Sequence, residues 1–258
     1  MNVGDFSRLI NAYLVEPQAS LLNGIVFGVD LKSTKYFYQQ LRTVGLLHLV
    51  VLSGMNISLL SALISQFTYK FGKYLSLLIT IFFIIFFVLF VGLQAPVVRA
   101  ALTSIFTSVA IVFGKKYINL LSLLFSLVFI MLFFPQWIST ISLQLSYAAT
   151  IGLLLFNKKS PENPILKEIK TSMSAQLFTM PIIFWYFKEI CLISLLSNLL
   201  VGWTIAPLMV LGLLTVFLGK IHYWLGFIPA QLAFGLLTYI VFIVEQLAKI
   251  PFALIKLQ

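Results

Sequence analysis

Charge is scarce in this chain. Asp, Glu, Lys and Arg make up 9% of its 258 residues. A soluble domain carries nearer one-quarter, so an ordinary water-solvated surface is excluded. Cysteine occurs once, at Cys191 in an apolar stretch, so no internal disulfide can form. Histidine occurs twice, at His48 and His222. With no HxHxDH-type cluster and no CxxC pair, neither a hydrolytic metal centre nor any other cofactor is expected from this chain. No GxxxxGK run followed by Ser or Thr is present, so a nucleotide-binding loop of that kind is missing too. Energy for any transport must then come from a partner. No internal repeat is evident, which argues against an inverted-repeat transporter. Residues 1–43 lack the basic start, short apolar stretch and small-residue cleavage site of a signal peptide.

What the chain has instead is apolar sequence. Hydrophobic residues make up 61% of it and the mean hydropathy is +1.07. Several runs approach the roughly 20 residues that cross a bilayer core. The expected fold is an all-α polytopic membrane protein. It has roughly eight transmembrane or re-entrant helices, at least one of them broken, plus N-terminal amphipathic helices. The spans fall near 44–66, 75–93, 97–113, 118–134, 140–156, 173–187, 191–219 and 224–247. Residues 1–43 read as an amphipathic or interfacial segment, and 44–258 as one membrane domain. The 191–219 run is long and is interrupted by Asn198, Gly202, Trp203 and Pro207. It reads as a broken helix or as two re-entrant pieces. The Ile79–Val91 run has no polar face and should meet lipid.

The turns give an orientation. Lys70 and Lys73, then Lys115 and Lys116, then Lys158, Lys159, Lys167 and Lys170 fall in alternate connections, while the turns at 93–97 and 134–140 carry no Lys or Arg. By the positive-inside rule these basic turns are cytoplasmic and residues 1–43 lie outside. Lys32, Lys35, Arg42 and the tail cations Lys249 and Lys256 run against that rule. The net charge of +10 fits both this topology and attraction of a polyanion.

A few polar residues stand inside the spans, where each is costly. The first span holds His48, Ser53, Gly54, Asn56, Ser58 and Ser61. It should be surrounded by protein, or unwound near Ser53-Gly54 toward a cavity. The small residues also suit close helix packing. His48 and Asn56 suit a polar pathway or gate. A nucleophilic Ser53 would need a base, and His48 points elsewhere on an intact helix. No enzyme is expected. Gln94 and Pro96 precede Arg99 at the start of the next span but one. Arg99 is either a snorkelling residue at the outer interface or a fixed cation facing a vestibule, where it would meet a phosphate. Gln144, Ser146, Tyr147, Gln176 and Asn198 are further intramembrane polar groups. On the last span, Gln231, Gly235, Thr238 and Glu245 share one meridian and should face the bundle interior.

Five segments, in order, resemble those of the ComEC competence family. Glu16–Gly28 reads EPQASLLNGIVFG and is similar to the family's EPxASLLxGIxxG. Gly45-Leu-Leu-His48 and Leu52-Ser-Gly54 resemble GLxHLLAISG. Gln94–Ala101 reads QAPVVRAA and resembles the Pro-Ser-Val-x-Arg-Ala turn, with Val97 and Val98 where Ser-Val is common. Gln144–Gly152 reads QLSYAATIG and resembles QLSFxAxxG. Leu196–Leu200 followed by Pro207 resembles NLLxxP. Asn56 stands where many members have a second His. The oligonucleotide-binding and metallo-β-lactamase-like domains of many members find no counterpart in this sequence, which looks like the membrane channel domain alone, either a natural short form or a trimmed one.

The resemblance implies a multi-pass protein of the bacterial cytoplasmic (inner) membrane that carries single-stranded DNA inward during natural transformation. His48, Ser53, Gly54, Asn56, Gln94, Pro96, Arg99, Gln144 and Asn198 would lie along the DNA path or gate. The implied partners are single-stranded DNA, membrane lipids, a separate DNA receptor, a nuclease, a cytoplasmic motor and a second copy of the chain. The alternatives are a small-solute transporter and a non-conducting assembly subunit. A transporter would show a coupling-ion acid near mid-membrane, and Glu245 lies near an end.

Overall fold

The structure is a computed structural model. It describes residues 3–31, 34–50, 54–114, 119–156, 163–251 and 253–256. Three helices precede the first expected span: α1 (Val3–Tyr13), α2 (Gln18–Phe27) and α3 (Lys35–Thr43). The expected 44–66 span is described as α4 (Leu47–Val50) and α5 (Gly54–Thr68). There follow α6 (Lys73–Val91), α7 (Ala95–Val112), α8 (Asn119–Phe133), α9 (Ile141–Phe156), α10 (Pro164–Phe187), α11 (Ser194–Ile221) and α12 (Tyr223–Leu247). Four of these, α6, α7, α11 and α12, are long and apolar enough to cross a membrane. Shorter apolar helices are α2, α8 and α9.

The described residues form two compact units. The first comprises 1–52, 161–173 and 183–258; the second comprises 53–160 and 174–182. Helix α10 runs through both.

In the first unit, α11 and α12 form an antiparallel hairpin joined at His222. The buried side of α11 is Val201, Ile205, Leu208, Gly212 and Thr215, and that of α12 includes Ala233, Leu237, Ile240 and Val244. Both follow the three-and-four spacing of one helix face. Helix α2 packs against α11, α12, α1 and α4, and all ten of its residues are buried. The amphipathic reading holds for α1, where Phe6 and Ile10 face inward, but not for α2. With apolar residues and small polar ones all round, α2 is a core element.

The second unit contains α5 to α9. Helix α6 buries Ser76, Thr80, Ile84, Phe87 and Val88. Leu78, Phe82, Phe83, Phe86 and Leu89 stay exposed, the surface expected to meet hydrocarbon. Ser76 and Thr80 keep their hydroxyls satisfied, Thr80 donating to Ser76 O at 2.8 Å and Ser76 bonding Thr68 Oγ1 at 2.7 Å.

One expectation is corrected. The 191–219 run is neither broken nor re-entrant: α11 is one helix of 28 residues with Pro207 inside it. A proline removes one intrahelical bond and the surrounding turns keep theirs. Helices α10 and α12 likewise carry Pro181 and Pro229. The all-α expectation holds for the architecture, to which one short strand pair is added. Strands β1 (Glu189–Cys191) and β2 (Leu254–Lys256) pair antiparallel, Ile190 opposite Ile255.

Candidate functional site

The second unit assembles one polar cluster around Arg99. Gln94 is the extended residue before α7, and Pro96 occupies the first turn, where its missing N–H costs nothing. This start places Arg99 one turn into the helix with Ala95, Val97, Val98, Ala100 and Ala101 buried around it. Arg99 itself is only 8% exposed. Its Nε donates to Ser146 Oγ of α9 at 2.8 Å. Its guanidinium carbon stands 5.7 Å from the centre of the Tyr147 ring, within cation–π range. The Tyr147 hydroxyl bonds Ser126 Oγ of α8 at 3.0 Å, and Ser126 donates to Leu123 O at 2.7 Å. Four side chains from three helices thus form one chain of contacts.

Gly54 closes the cluster from α5. A Cβ at Gly54 would stand 3.0 Å from Ala100 Cβ and 3.2 Å from Arg99 Nη2. Glycine suits this position because α5 and α7 approach closely beside the guanidinium, and a side chain would make its neighbours give way. Gly54 of the Ser-Gly step and the Pro-x-x-Arg turn, read separately in the sequence, are therefore two sides of one contact. Asn56 is buried on α5, one half-turn on. Ser53 lies outside the described residues. Gln144 does not join the cluster; its Nε2 reaches Ile138 O at 3.4 Å, at the start of its own helix. Thr103 and Thr107, on the same stripe of α7, return their hydroxyls to that helix's own carbonyls.

The seven acids of the chain are Asp5, Glu16, Asp30, Glu162, Glu168, Glu189 and Glu245. None falls within the second unit, which carries Lys70, Lys73, Arg99, Lys115, Lys116, Lys158 and Lys159. Arg99 is thus a buried cation in a carboxylate-free stretch of sequence.

The first unit holds the other motif contact. Gly45 has φ +74°, a left-handed conformation that turns the chain from α3 into α4. A Cβ there would stand 2.7 Å from Ser194 Cβ and 3.1 Å from Cys191 Sγ. Ser197, fully buried, donates to Val44 O at 2.6 Å, and Cys191 Sγ contacts Thr43 O at 3.0 Å. Burial pushes the Cys191 thiol above its usual range, partly offset by hydrogen bonds from Ser194 and the Ile193 backbone. His48 follows on α4 with an exposed ring whose Nδ1 lies 3.1 Å from Gly45 O. Asn198 is half-buried on α11. The motif residue that ties α11 to the turn is its neighbour Ser197.

The expected site residues therefore divide: His48 and Asn198 belong to the first unit, and Gly54, Asn56, Gln94, Pro96, Arg99 and Gln144 to the second. The sequence reading missed Ser126 and gave Ser146 and Tyr147 no role beside Arg99. Ser122 and Ser126, one turn apart on an otherwise apolar helix and both buried, were the available signal. The α12 stripe also differs from expectation. Gln231, Gly235, Thr238 and Glu245 are exposed, because α12 turns Ala230, Ala233, Leu237 and Val244 inward instead. Among the described residues no group of three His, Cys, Asp or Glu side chains is placed to hold a metal.

The family model described as Competence protein matches residues 25–258. The chain belongs to the Competence protein family. Four of the five resembling segments lie wholly within the matched range, and the Glu16–Gly28 segment enters it at its end. With four helices of membrane-crossing length and composition, this member is a competence-related membrane protein. No curated protein and no solved structure matches the chain.

Proposed function

We propose that the chain is the channel for single-stranded DNA uptake in natural transformation, a multi-pass protein of the bacterial cytoplasmic membrane with 44–258 as its channel domain. The observation that carries this reading is the buried Arg99, bonded to Ser146 and packed beside the Tyr147 ring. Arg99 stands one turn into α7 rather than at its centre. Its cost is therefore below the ~2.5–3.5 kcal/mol of a mid-membrane arginine, but its burial must still be offset. A buried cation bonded to a neutral hydroxyl and packed beside a π face is suited to meet a passing phosphate. The planar fork is held in place and need not be ordered at each step. Gly54, Pro96 and Asn56 line or gate the same path, and His48, Ser53, Gln94, Gln144 and Asn198 are assigned to it as well. The role is non-enzymatic. A separate receptor, nuclease and motor supply capture, strand removal and energy, and the chain self-associates.

The test is uptake of labelled single-stranded DNA into proteoliposomes. Wild type should accumulate strand, Arg99→Ala should lose most of it, and Arg99→Lys should retain a part, since it keeps the charge but not the fork. A folded Arg99→Ala protein with wild-type uptake would remove Arg99 from the path. A wild type without uptake would favour the assembly-subunit reading.

A further inference from the structure

Helix α3 carries a surface that none of the family motifs uses. Thr34 opens the helix, its Oγ1 accepting from Phe37 N at 3.4 Å. Phe37, Gln40 and Leu41 take the buried side. Lys35, Tyr38, Gln39 and Arg42 then share the opposite side at positions i, i+3, i+4 and i+7. With Leu31 they line a groove of about 350 Å³. Tyr38 is 47% exposed and Tyr36, on the adjacent row, is 69% exposed. Arg42 is fixed through Nε to Glu189 Oε2 at 2.9 Å, yet its side chain remains 43% exposed. A half-exposed ion pair contributes little stability. Its consequence is positional, because it holds a guanidinium at the end of the groove.

The charge of this face is out of place for topology. On the positive-inside reading of the sequence, α3 is expected on the outer side, where Lys and Arg are not favoured. Two cations, two exposed tyrosines and a glutamine in one short stretch are the ingredients of a sequence-tolerant strand binder: charges that follow the backbone and rings on which bases stack. Lys35 and Arg42 are about 10 Å apart along the helix, about the rise of three stacked nucleotides.

We propose that this face of α3 is a landing site for single-stranded nucleic acid, with Lys35 and Arg42 contacting phosphates and Tyr38 stacking on a base. This rests on the proposed function and adds to it the residues that first receive the strand.

The experiment is fluorescence anisotropy of a fluorescein-labelled single-stranded oligodeoxynucleotide titrated with the full chain in detergent. The variants are Lys35→Glu, Tyr38→Ala, Tyr38→Phe and, as a charge-matched control, Lys249→Glu on the exposed tail. Lys35→Glu and Tyr38→Ala should each bind about fivefold or more weakly. Lys35→Glu should also flatten the slope of log affinity against log salt by roughly 0.7. Tyr38→Phe and Lys249→Glu should match wild type. Equal binding by all variants, or equal weakening by Lys249→Glu, would overturn the inference. So would loss of flotation with phosphatidylglycerol vesicles in Lys35→Glu without loss of oligonucleotide binding, which would assign the face to a lipid headgroup. Unchanged binding with intact proteoliposome uptake overturns the α3 site alone. Absence of uptake in wild type overturns the channel reading.

Discussion

Arg99 shows how a costly residue is kept. Its Nε bond to Ser146 at 2.8 Å and the Tyr147 ring 5.7 Å away recover part of what burial removes. Ser146→Ala should leave the buried Nε without that acceptor and cost about 1–3 kcal/mol. A lowered thermal unfolding midpoint in detergent is the expected outcome, and an unchanged midpoint would show that the bond contributes nothing. Cys191 gives a second prediction at this scale. Its thiol is half-buried, contacts Thr43 O and sits above its usual pKa range. The thiolate is the reactive form, so maleimide should modify Cys191 slowly in the folded protein and rapidly after denaturation. The rate in the folded protein should rise with pH past neutrality. Gly54→Val should separate α5 from α7, because its Cβ already lacks room against Ala100 and Arg99.

Helix positions were largely legible because a membrane allows few choices: buried backbone must be hydrogen-bonded within its own segment, so apolar runs become helices. The expected 75–93, 97–113, 140–156 and 224–247 spans lie within two residues of α6, α7, α9 and α12. Prolines misled the reading of α11, where local helix-breaking tendency lost to the need to keep backbone groups paired. Helix α2 misled it differently. Its segment reads as amphipathic or partly embedded in sequence, but every residue of the helix is buried, and Asn23 Nδ2 donates to Asn11 Oδ1 at 2.8 Å and to Ala19 O at 2.9 Å. Three-residue strands such as β1 and β2 are too short to show alternation. The Arg99 cluster was half legible: the residues stood out, but their convergence depends on how α5, α7, α8 and α9 pack. Because α2 is core, Leu22→Ala should destabilise the protein by about 2–5 kcal/mol, whereas the same change at the exposed Leu78 of α6 should leave detergent stability nearly unaltered. Comparing the two melting curves checks this.

At the scale of the molecule, charge is distributed unevenly. The second unit holds seven cations and no acid. Those in the turns fit the positive-inside reading of the sequence, but Arg99 does not, since it is buried within a helix long and apolar enough to cross a membrane. In the proposed channel, single-stranded DNA passes beside this residue. Gln94, half-buried at the start of α7, is close enough in sequence to report on it. The most direct measurement places a single thiol there, Gln94→Cys in a Cys191→Ser background, and follows its reaction with a charged methanethiosulfonate reagent in proteoliposomes. The thiol should be modified, added single-stranded DNA should slow the modification, and duplex DNA should not. A thiol that never reacts, or one whose rate is the same with and without the strand, would contradict the proposed channel.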